Sequence, residues 1–363
     1  MNPTQMLRQA GQSLWLDDIT RELLDSGTLQ RYIDQLSVTG LTSNPSIFDH
    51  AITHSDKYDD EIRRLTTRGY SSEALFFELA LEDLARAADM FLPIHTATAG
   101  MDGWVSLEVS PLLAYQTSET IAEASRLWRR ANKSNLFIKI PGTKEGLPAI
   151  EETIAAGVPV NVTLLFSPAH YEAAADAYMR GLERRVAAGL APDIRSVASV
   201  FISRWDRAVV DKVPEAMRNT LGVAIGQLAY KSYRDLIDSD RWQRLANYGA
   251  MPQRLLFAST SMKDSKAPDA FYVNELAAPN TVNTMPAPTL QAFGDHGKAG
   301  DVLDRNGGNG AATIAQHGKA GVDVTALAAK LQTDGAEAFV ESWKDLLRAI
   351  DTKSRALGSR KDT

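Results

Sequence analysis

Two kinds of segment alternate along the chain. Short runs rich in Val, Ile, Leu and Phe end in polar residues, and long amphipathic stretches separate them. Short apolar runs read as strands, and long stretches with helical spacing read as helices. Strands are expected at residues 13–18, 37–44, 104–109, 135–140, 158–166, 194–203, 254–260 and 279–284. Helices are expected at 19–36, 71–90, 121–131, 145–156, 170–188, 207–239 and 326–350; Ile121, Ala124, Leu127 and Trp128 show the spacing clearly. Eight strands mostly separated by helices predict an α/β chain, a (β/α)8 TIM barrel with extra helices. A doubly wound sheet fits the same local pattern.

The stretch 293–321 breaks this rhythm and reads as a loop or excursion. It holds Asn306-Gly-Gly-Asn-Gly310, and His-Gly-Lys-Ala-Gly occurs twice, starting at His296 and His317. Copies of five residues fall short of structural repeats, which run to roughly 20 residues or more. Neither copy fits a phosphate loop, and Gly308-Asn-Gly310 lacks the third glycine of a dinucleotide fingerprint. The expected organisation is one barrel domain over 1–363. Its core covers about 13–290, the excursion and final helix about 291–352, and a frayed tail 353–363.

Side chains alternate across a strand, so residues two apart share a face. That rule groups Trp104, Ser106 and Glu108 opposite Val105, Leu107 and Val109. It puts Lys139 with Phe137, Asn161 with Thr163, and Ser199 with Phe201 and Ser203. It also pairs Trp15 with Asp17, Thr42 with Asn44, and Phe257 with Ser259. Nearly every strand thus has one aliphatic face and one face carrying polar groups toward its C-terminal end. In a barrel the aliphatic face is covered by helices and catalytic groups gather at the C-terminal mouth. A polar residue ending a strand is also a common turn former or helix cap, so Ser203 or Thr42 alone signals little.

Lys139 stands apart because it lies inside an apolar strand, followed by Pro141-Gly142. An unpaired buried ammonium is strongly unfavourable. A structural ion pair with Glu108 or Asp17 is one solution. The other is chemical: desolvation favours the neutral amine, which attacks carbonyls to form a Schiff base. Such chemistry needs groups that manage water and protons, and Glu108, Asp17 and Thr163 are candidates. Lys133 and Lys144 sit among polar or turn residues and read as solvated.

Composition narrows the alternatives. The 363 residues contain no Cys, which excludes disulfides, thiolate metal sites and a cysteine nucleophile. The six His never form HExxH, so no metal site is expected from them and no cofactor is implied; carboxylate-held Mg²⁺ stays open. Lys and Arg total 39 against 45 Asp and Glu, a net −6 that argues against nucleic-acid binding. No apolar run approaches the ~20 residues of a membrane span. The N-terminus lacks an apolar signal core, so a cytoplasmic location is expected. The exposed face of 207–239 (Arg207, Asp211, Arg218, Arg234, Asp238) reads as solvated, and the oligomeric state, monomer or homodimer, is left open.

Several ordered motifs resemble the transaldolase family. Thr39-Gly-Leu-Thr-Ser-Asn-Pro-Ser-Ile-Phe48 is similar to its first signature, and Leu136-Phe-Ile-Lys-Ile-Pro-Gly-Thr-Lys-Glu-Gly-Leu-Pro-Ala-Ile150 to the second, built around the Schiff-base lysine. Supporting pieces are Trp15-Leu-Asp17, Val105-Ser-Leu-Glu-Val-Ser-Pro111, Asn161-Val-Thr-Leu-Leu-Phe-Ser167, Ser199-Val-Phe-Ile-Ser-Arg204, Phe257-Ala-Ser-Thr260 and Thr281-Val-Asn-Thr-Met-Pro286. The likeness covers about residues 13–290 and thins in the final helix. The longer form resembles a bacterial subgroup sometimes fused to a phosphoglucose isomerase.

The resemblance implies a class I aldolase barrel without metal, acting in the pentose phosphate pathway. It implies transfer of a dihydroxyacetone unit from fructose 6-phosphate or sedoheptulose 7-phosphate to glyceraldehyde 3-phosphate or erythrose 4-phosphate. By the same resemblance Lys139 attacks the ketose C2, and Asp17 removes the C4 hydroxyl proton. Glu108 and Thr163 hold the catalytic water. Thr42, Asn44, Asn161 and Ser199 are expected in substrate binding, and Arg204 binds phosphate. The family often has Ser then Arg two residues later on the seventh strand. Here the run is Ser259-Thr-Ser-Met-Lys263, so the phosphate role falls on Ser259 or Ser261 with Lys263. Related fructose-6-phosphate aldolases tend to carry Tyr at the position of Phe201, and Phe201 favours transfer over simple cleavage. A lyase on the same fold and a non-catalytic phosphosugar-binding barrel are the rival readings.

Overall fold

The computed structural model describes residues 1–298 and 301–358. Among them are eight parallel strands: β1 (Gln12–Asp17), β2 (Val38–Thr42), β3 (Trp104–Glu108), β4 (Leu136–Pro141), β5 (Val160–Leu165), β6 (Ser196–Phe201), β7 (Arg254–Ala258) and β8 (Thr281–Met285). They pair in chain order, and β8 closes back onto β1, giving a complete (β/α)8 barrel. Closure removes the doubly wound alternative.

The alternation read from the sequence is what sorts the barrel's two surfaces. Val105, Leu107, Ile138, Ile140, Val200 and Ile202 are buried under helices. The inward face carries an aromatic layer in which Trp104 stacks on Phe137 at 4.0 Å, with Trp15 6.1 Å from the same ring. The polar mouth lies above that layer. Two strands leave the regular register there. β5 bulges between Val162 and Leu165, with Leu164 in the left-handed region (φ 60°). Just past β7, Ser259 is left-handed as well (φ 56°). Such conformations at non-glycine residues cost on the order of 1–3 kcal/mol and re-aim the chain locally.

The turn at Ser259 corrects one expectation. Phe257 and Ser259 do not share a face. Phe257 points outward, where a Cβ on Gly226 of the Leu221–Ile237 helix would lie 3.5 Å from its ring, while Ala258 and Ser259 both face the mouth. Strand ends are also shorter than expected, because Asn44 caps the Pro45–His54 helix after β2 and Ser203 opens the Ser203–Val209 helix after β6.

Helices differ where local breakers intervene. The stretch 19–36 is two helices, Arg21–Asp25 and Thr28–Leu36, separated at left-handed Gly27 (φ 72°). The stretch 207–239 splits into Ser203–Val209, a short 3-10 turn at Glu215–Met217 and Leu221–Ile237. Pro214 cannot continue a helix, and Asn219 is left-handed (φ 61°). The excursion 293–321 is partly helical: Ala287–His296 overlaps its start, and Gly310–Lys319 docks on the Leu221–Ile237 helix. A Cβ at Gly310 would sit 2.9 Å from the Ala224 carbonyl, so a small residue permits that approach. Ala299 and Gly300 of the first His-Gly-Lys-Ala-Gly copy lie outside the described residues.

The final helix runs Val324–Gly358, through much of the expected frayed tail. Lys353 explains this: its Nζ lies 2.7 Å from Asp59 Oδ1 and donates to the Ile52 carbonyl, and Leu357 is buried. Residues 359–363 lie outside the described residues.

Candidate active site

Strand ends deliver the polar groups to one cavity of about 420 Å³ at the barrel's C-terminal mouth. Parallel register sets the neighbours. Asp17 pairs with Thr42 at the ends of β1 and β2, and Glu108 pairs with Lys139 across β3 and β4. Eleven of the thirteen residues expected in the site line this cavity: Asp17, Thr42, Asn44, Lys139, Thr163, Ser199, Phe201, Arg204, Ser259, Ser261 and Lys263.

The other two stand behind its wall. Glu108 is buried next to the lysine, with Oε2 3.3 Å from Lys139 Nζ. Asn161 is fully buried; it donates to Ser106 Oγ at 3.2 Å and accepts from Ser199 Oγ at 2.8 Å. Ser199, rather than Asn161, reaches the cavity surface.

Lys139 Nζ also donates to the Ser43 carbonyl at 2.9 Å. Asp17 accepts from Thr42 Oγ1 at 2.8 Å, and Thr42 Oγ1 lies 2.9 Å from Thr284 Oγ1. Burial pushes the carboxyls of both Asp17 and Glu108 above the ordinary carboxylate range, with the Lys139 charge opposing it in each case. For Asp17, hydrogen bonds from Thr42 and Asn44 also pull downward. Asn44 has a second task. Its Oδ1 caps the Pro45–His54 helix through the Ile47 N–H at 3.2 Å. Thr163 Oγ1 is buried with no hydrogen-bond partner in the protein, a hydroxyl left free for something in the cavity.

The opposite wall is basic. Arg204 is half-buried at the start of the Ser203–Val209 helix, and its pKa is lowered by burial and by the like charge of Arg207. Arg207 is exposed, as its sequence suggested, yet it lines the cavity mouth beside Lys263. Ser203 Oγ lies 2.9 Å from Ser259 Oγ, tying the β6 and β7 ends together.

Sequence reasoning missed Arg207, Thr284, Phe339 and Ser342 as cavity residues, whereas Ser203, grouped with Ser199 and Phe201 on the polar face, lines the cavity as well. Arg204 and Arg207 are three apart on one helix, and Thr284 is register-paired with Trp15, so strand and helix periodicity could have found them. Phe339 and Ser342 come from the final helix, and no local signal points to them. Among the described residues, no group of three or more His, Asp or Glu side chains comes together to hold a metal ion.

An amine beside two buried carboxyls with raised pKa values, a free hydroxyl and a facing set of cations is suited to carbonyl chemistry on an anionic substrate. The fold and this site define a (β/α)8-barrel enzyme. A family model described as transaldolase/fructose-6-phosphate aldolase matches residues 14–350, past the point where the motif likeness thins. Transaldolases from Parafrankia sp. (strain EAN1pec) and Arthrobacter sp. (strain FB24) are each 45% identical, covering 98% and 96% of this chain and the same shares of their own. One from Mycobacterium bovis (strain BCG / Pasteur 1173P2) is 43% identical, over 94% of both chains. The chain belongs to the transaldolase/fructose-6-phosphate aldolase family.

Proposed function

We propose that the protein is a transaldolase that moves a dihydroxyacetone unit between sugar phosphates through a Schiff base on Lys139. The observation that carries this reading is the Lys139 amine, buried on β4 with Glu108 at 3.3 Å and facing a cavity whose far wall is basic. The nearly full-length likeness to transaldolases supports it.

Lys139 adds to C2 of the ketose. Loss of water from the carbinolamine gives the imine, with Glu108 and the Thr163 hydroxyl holding the water and shuttling its proton. The protonated imine then draws the C3–C4 electron pair as Asp17 takes the C4 hydroxyl proton. An aldose leaves and an enamine remains on Lys139. The acceptor aldehyde reverses these steps, with Asp17 returning its proton to the new alkoxide. A carboxyl held above its ordinary pKa suits this two-way role. Thr42, Asn44 and Ser199 bind hydroxyls of the three-carbon unit, and Asn161 holds Ser199 from behind. Arg204, Ser259, Ser261 and Lys263 take the phosphate, with Arg207 at the rim.

Sedoheptulose 7-phosphate and fructose 6-phosphate are the donors, and glyceraldehyde 3-phosphate and erythrose 4-phosphate the acceptors. That places the enzyme in the non-oxidative pentose phosphate pathway. Such charged sugars are retained in the cytoplasm, where this reading locates the protein. The chain works as one barrel unit, since its site draws on strands from β1 to β8 and on the final helix. The family also includes fructose-6-phosphate aldolases, and the apolar Phe201 ring in the cavity favours transfer.

Borohydride trapping tests the reading. After incubation with fructose 6-phosphate and reduction, peptide mass spectrometry should place a three-carbon adduct on Lys139. Absence of an adduct there overturns the Schiff-base mechanism.

A further inference from the structure

The cavity has a roof that the barrel does not supply. The final helix is fixed to the mouth at Gln332, whose Nε2 donates to the carbonyls of Gly142 and Leu164, each at 3.0 Å. One turn on, Gly335 lets the helix settle against β5: a Cβ there would lie 3.1 Å from Leu164 Cδ2. Farther along, Trp343 wedges between Phe76 and Phe77, with ring centroids 5.0 and 5.7 Å away. Phe339 lies between these anchors. Its ring centroid is 5.9 Å from Lys139 Nζ, and the residue lines the cavity while only 9% exposed.

We propose that Phe339 is a specificity-determining residue: it keeps water from the three-carbon unit on Lys139 and so sets the ratio of transfer to release. This rests on the Schiff-base reading above. After C3–C4 cleavage the enamine has two fates. In transfer, C3 bonds to the acceptor aldehyde carbon, and the aldehyde oxygen gains the proton held by Asp17. In release, C3 takes a proton from a water that enters the cavity, and the iminium returns. Water then adds to C2, the C2–N bond breaks, and dihydroxyacetone leaves with the Lys139 amine restored. Transfer also takes a water at C2, when the product imine opens, so what sets release apart is the protonation of C3 by water that reaches the enamine. An apolar ring held over the amine occupies space from which that water would approach. The roof comes from a helix nearly 200 residues after Lys139 in the chain, so the barrel strands can carry the chemistry while this helix sets the outcome.

The test measures dihydroxyacetone release from fructose 6-phosphate without acceptor, and transfer to glyceraldehyde 3-phosphate, for Phe339→Leu, Phe339→Val and Phe339→Ala. The release-to-transfer ratio should rise with the volume removed, by about tenfold or more in Phe339→Ala, while Phe339→Leu stays near the parent. The graded series keeps the test usable if the alanine variant folds poorly. An unchanged ratio across the series overturns the proposal. So does a rise in Phe339→Leu equal to that in Phe339→Ala, since that outcome assigns the ring to a cation–π contact with the ammonium. Borohydride trapping of each variant separates the two levels. An adduct on Lys139 with an unchanged ratio removes only the role of Phe339, and no adduct in the parent protein removes the Schiff-base reading itself.

Discussion

Two basic side chains point into this barrel from its strands, and they differ in nearly everything except burial. Lys139 on β4 is 6% exposed and Arg254 on β7 is 5% exposed. Arg254 opens its strand, at the closed end of the barrel, and its guanidinium is saturated. It donates to the Met101 carbonyl at 2.9 Å, Ser13 Oγ at 2.6 Å and the Thr281 carbonyl at 2.7 Å, with Asp102 Oδ1 at 3.4 Å. Asp102 is held in turn by Ser13 and Trp15. Lys139 lies toward the mouth end of its strand, with one carboxylate, one carbonyl and an open cavity. Burial alone therefore does not mark a functional cation. Position along the strand and unfilled bonding capacity do.

Exchanging the two cations for uncharged groups should split activity from stability. Lys139→Ala should lower turnover by roughly 10⁴-fold or more, since the nucleophile is gone. Its melting temperature should stay close to the parent, because Glu108 can take a proton once its partner is lost and burial already favours that form. Arg254→Met should do the reverse. Leaving Asp102 without its cation should cost about 3–5 kcal/mol in denaturant unfolding, with turnover per folded molecule retained. A large stability loss in Lys139→Ala, with activity surviving, would return Lys139 to the structural ion pair.

The same contrast explains what was legible in the sequence. Period-two alternation was enough to place Lys139, Glu108, Asp17 and Thr163 around one mouth, because the strands keep that alternation as far as these residues, and β5 leaves it only beyond Thr163, at left-handed Leu164. It failed at Ser259, where a left-handed residue turns the chain and puts neighbouring Ala258 and Ser259 on the same cavity wall. It also left Arg254 unremarked, although a charge opening the run Leu-Leu-Phe-Ala258 is as conspicuous as Lys139. Asn161 was grouped with the binding residues, and only the packing reveals that Ser199 stands in front of it. Phe339 had no signal at all. Which residue a distant helix sets over a barrel depends on packing at Gln332, Gly335 and Trp343, and no local period encodes that.

A second difference is that mouth cations are free to meet an anion. Among the described residues, Arg204, Arg207 and Lys263 form no ion pair within 4.0 Å, whereas Arg254 does. Arg204→Ala should raise KM for sugar phosphates about 10–100-fold, the equivalent of one charge-assisted hydrogen bond or two. Its effect on unphosphorylated dihydroxyacetone as donor should be small. Arg207→Ala, at an exposed rim, should raise KM only a few-fold, and the effect should fade at high salt. Equal effects on phosphorylated and plain substrates would contradict the phosphate role, and an Arg207 effect indifferent to salt would move that residue into direct contact.

The finest test compares the two aspartates. Asp102 is locked by Ser13, Trp15 and Arg254, while Asp17 has the Thr42 hydroxyl and Asn44 to favour its ionised form against burial. Removing Thr42's hydrogen bond should therefore raise the Asp17 pKa further. Cleavage needs Asp17 ionised to accept the C4 proton, so activity falls as pH drops through that pKa. Thr42→Val should move the acid limb of kcat/KM to higher pH, because the hydrogen bond that favours the ionised form of Asp17 is lost. Thr42→Ser keeps the hydroxyl and should leave the limb in place. Ser13→Ala, at the closed end, should cost stability and leave the pH profile unmoved. A limb that does not shift in Thr42→Val would mean that another group controls it, with Glu108, also raised by burial and facing Lys139, the group to test next.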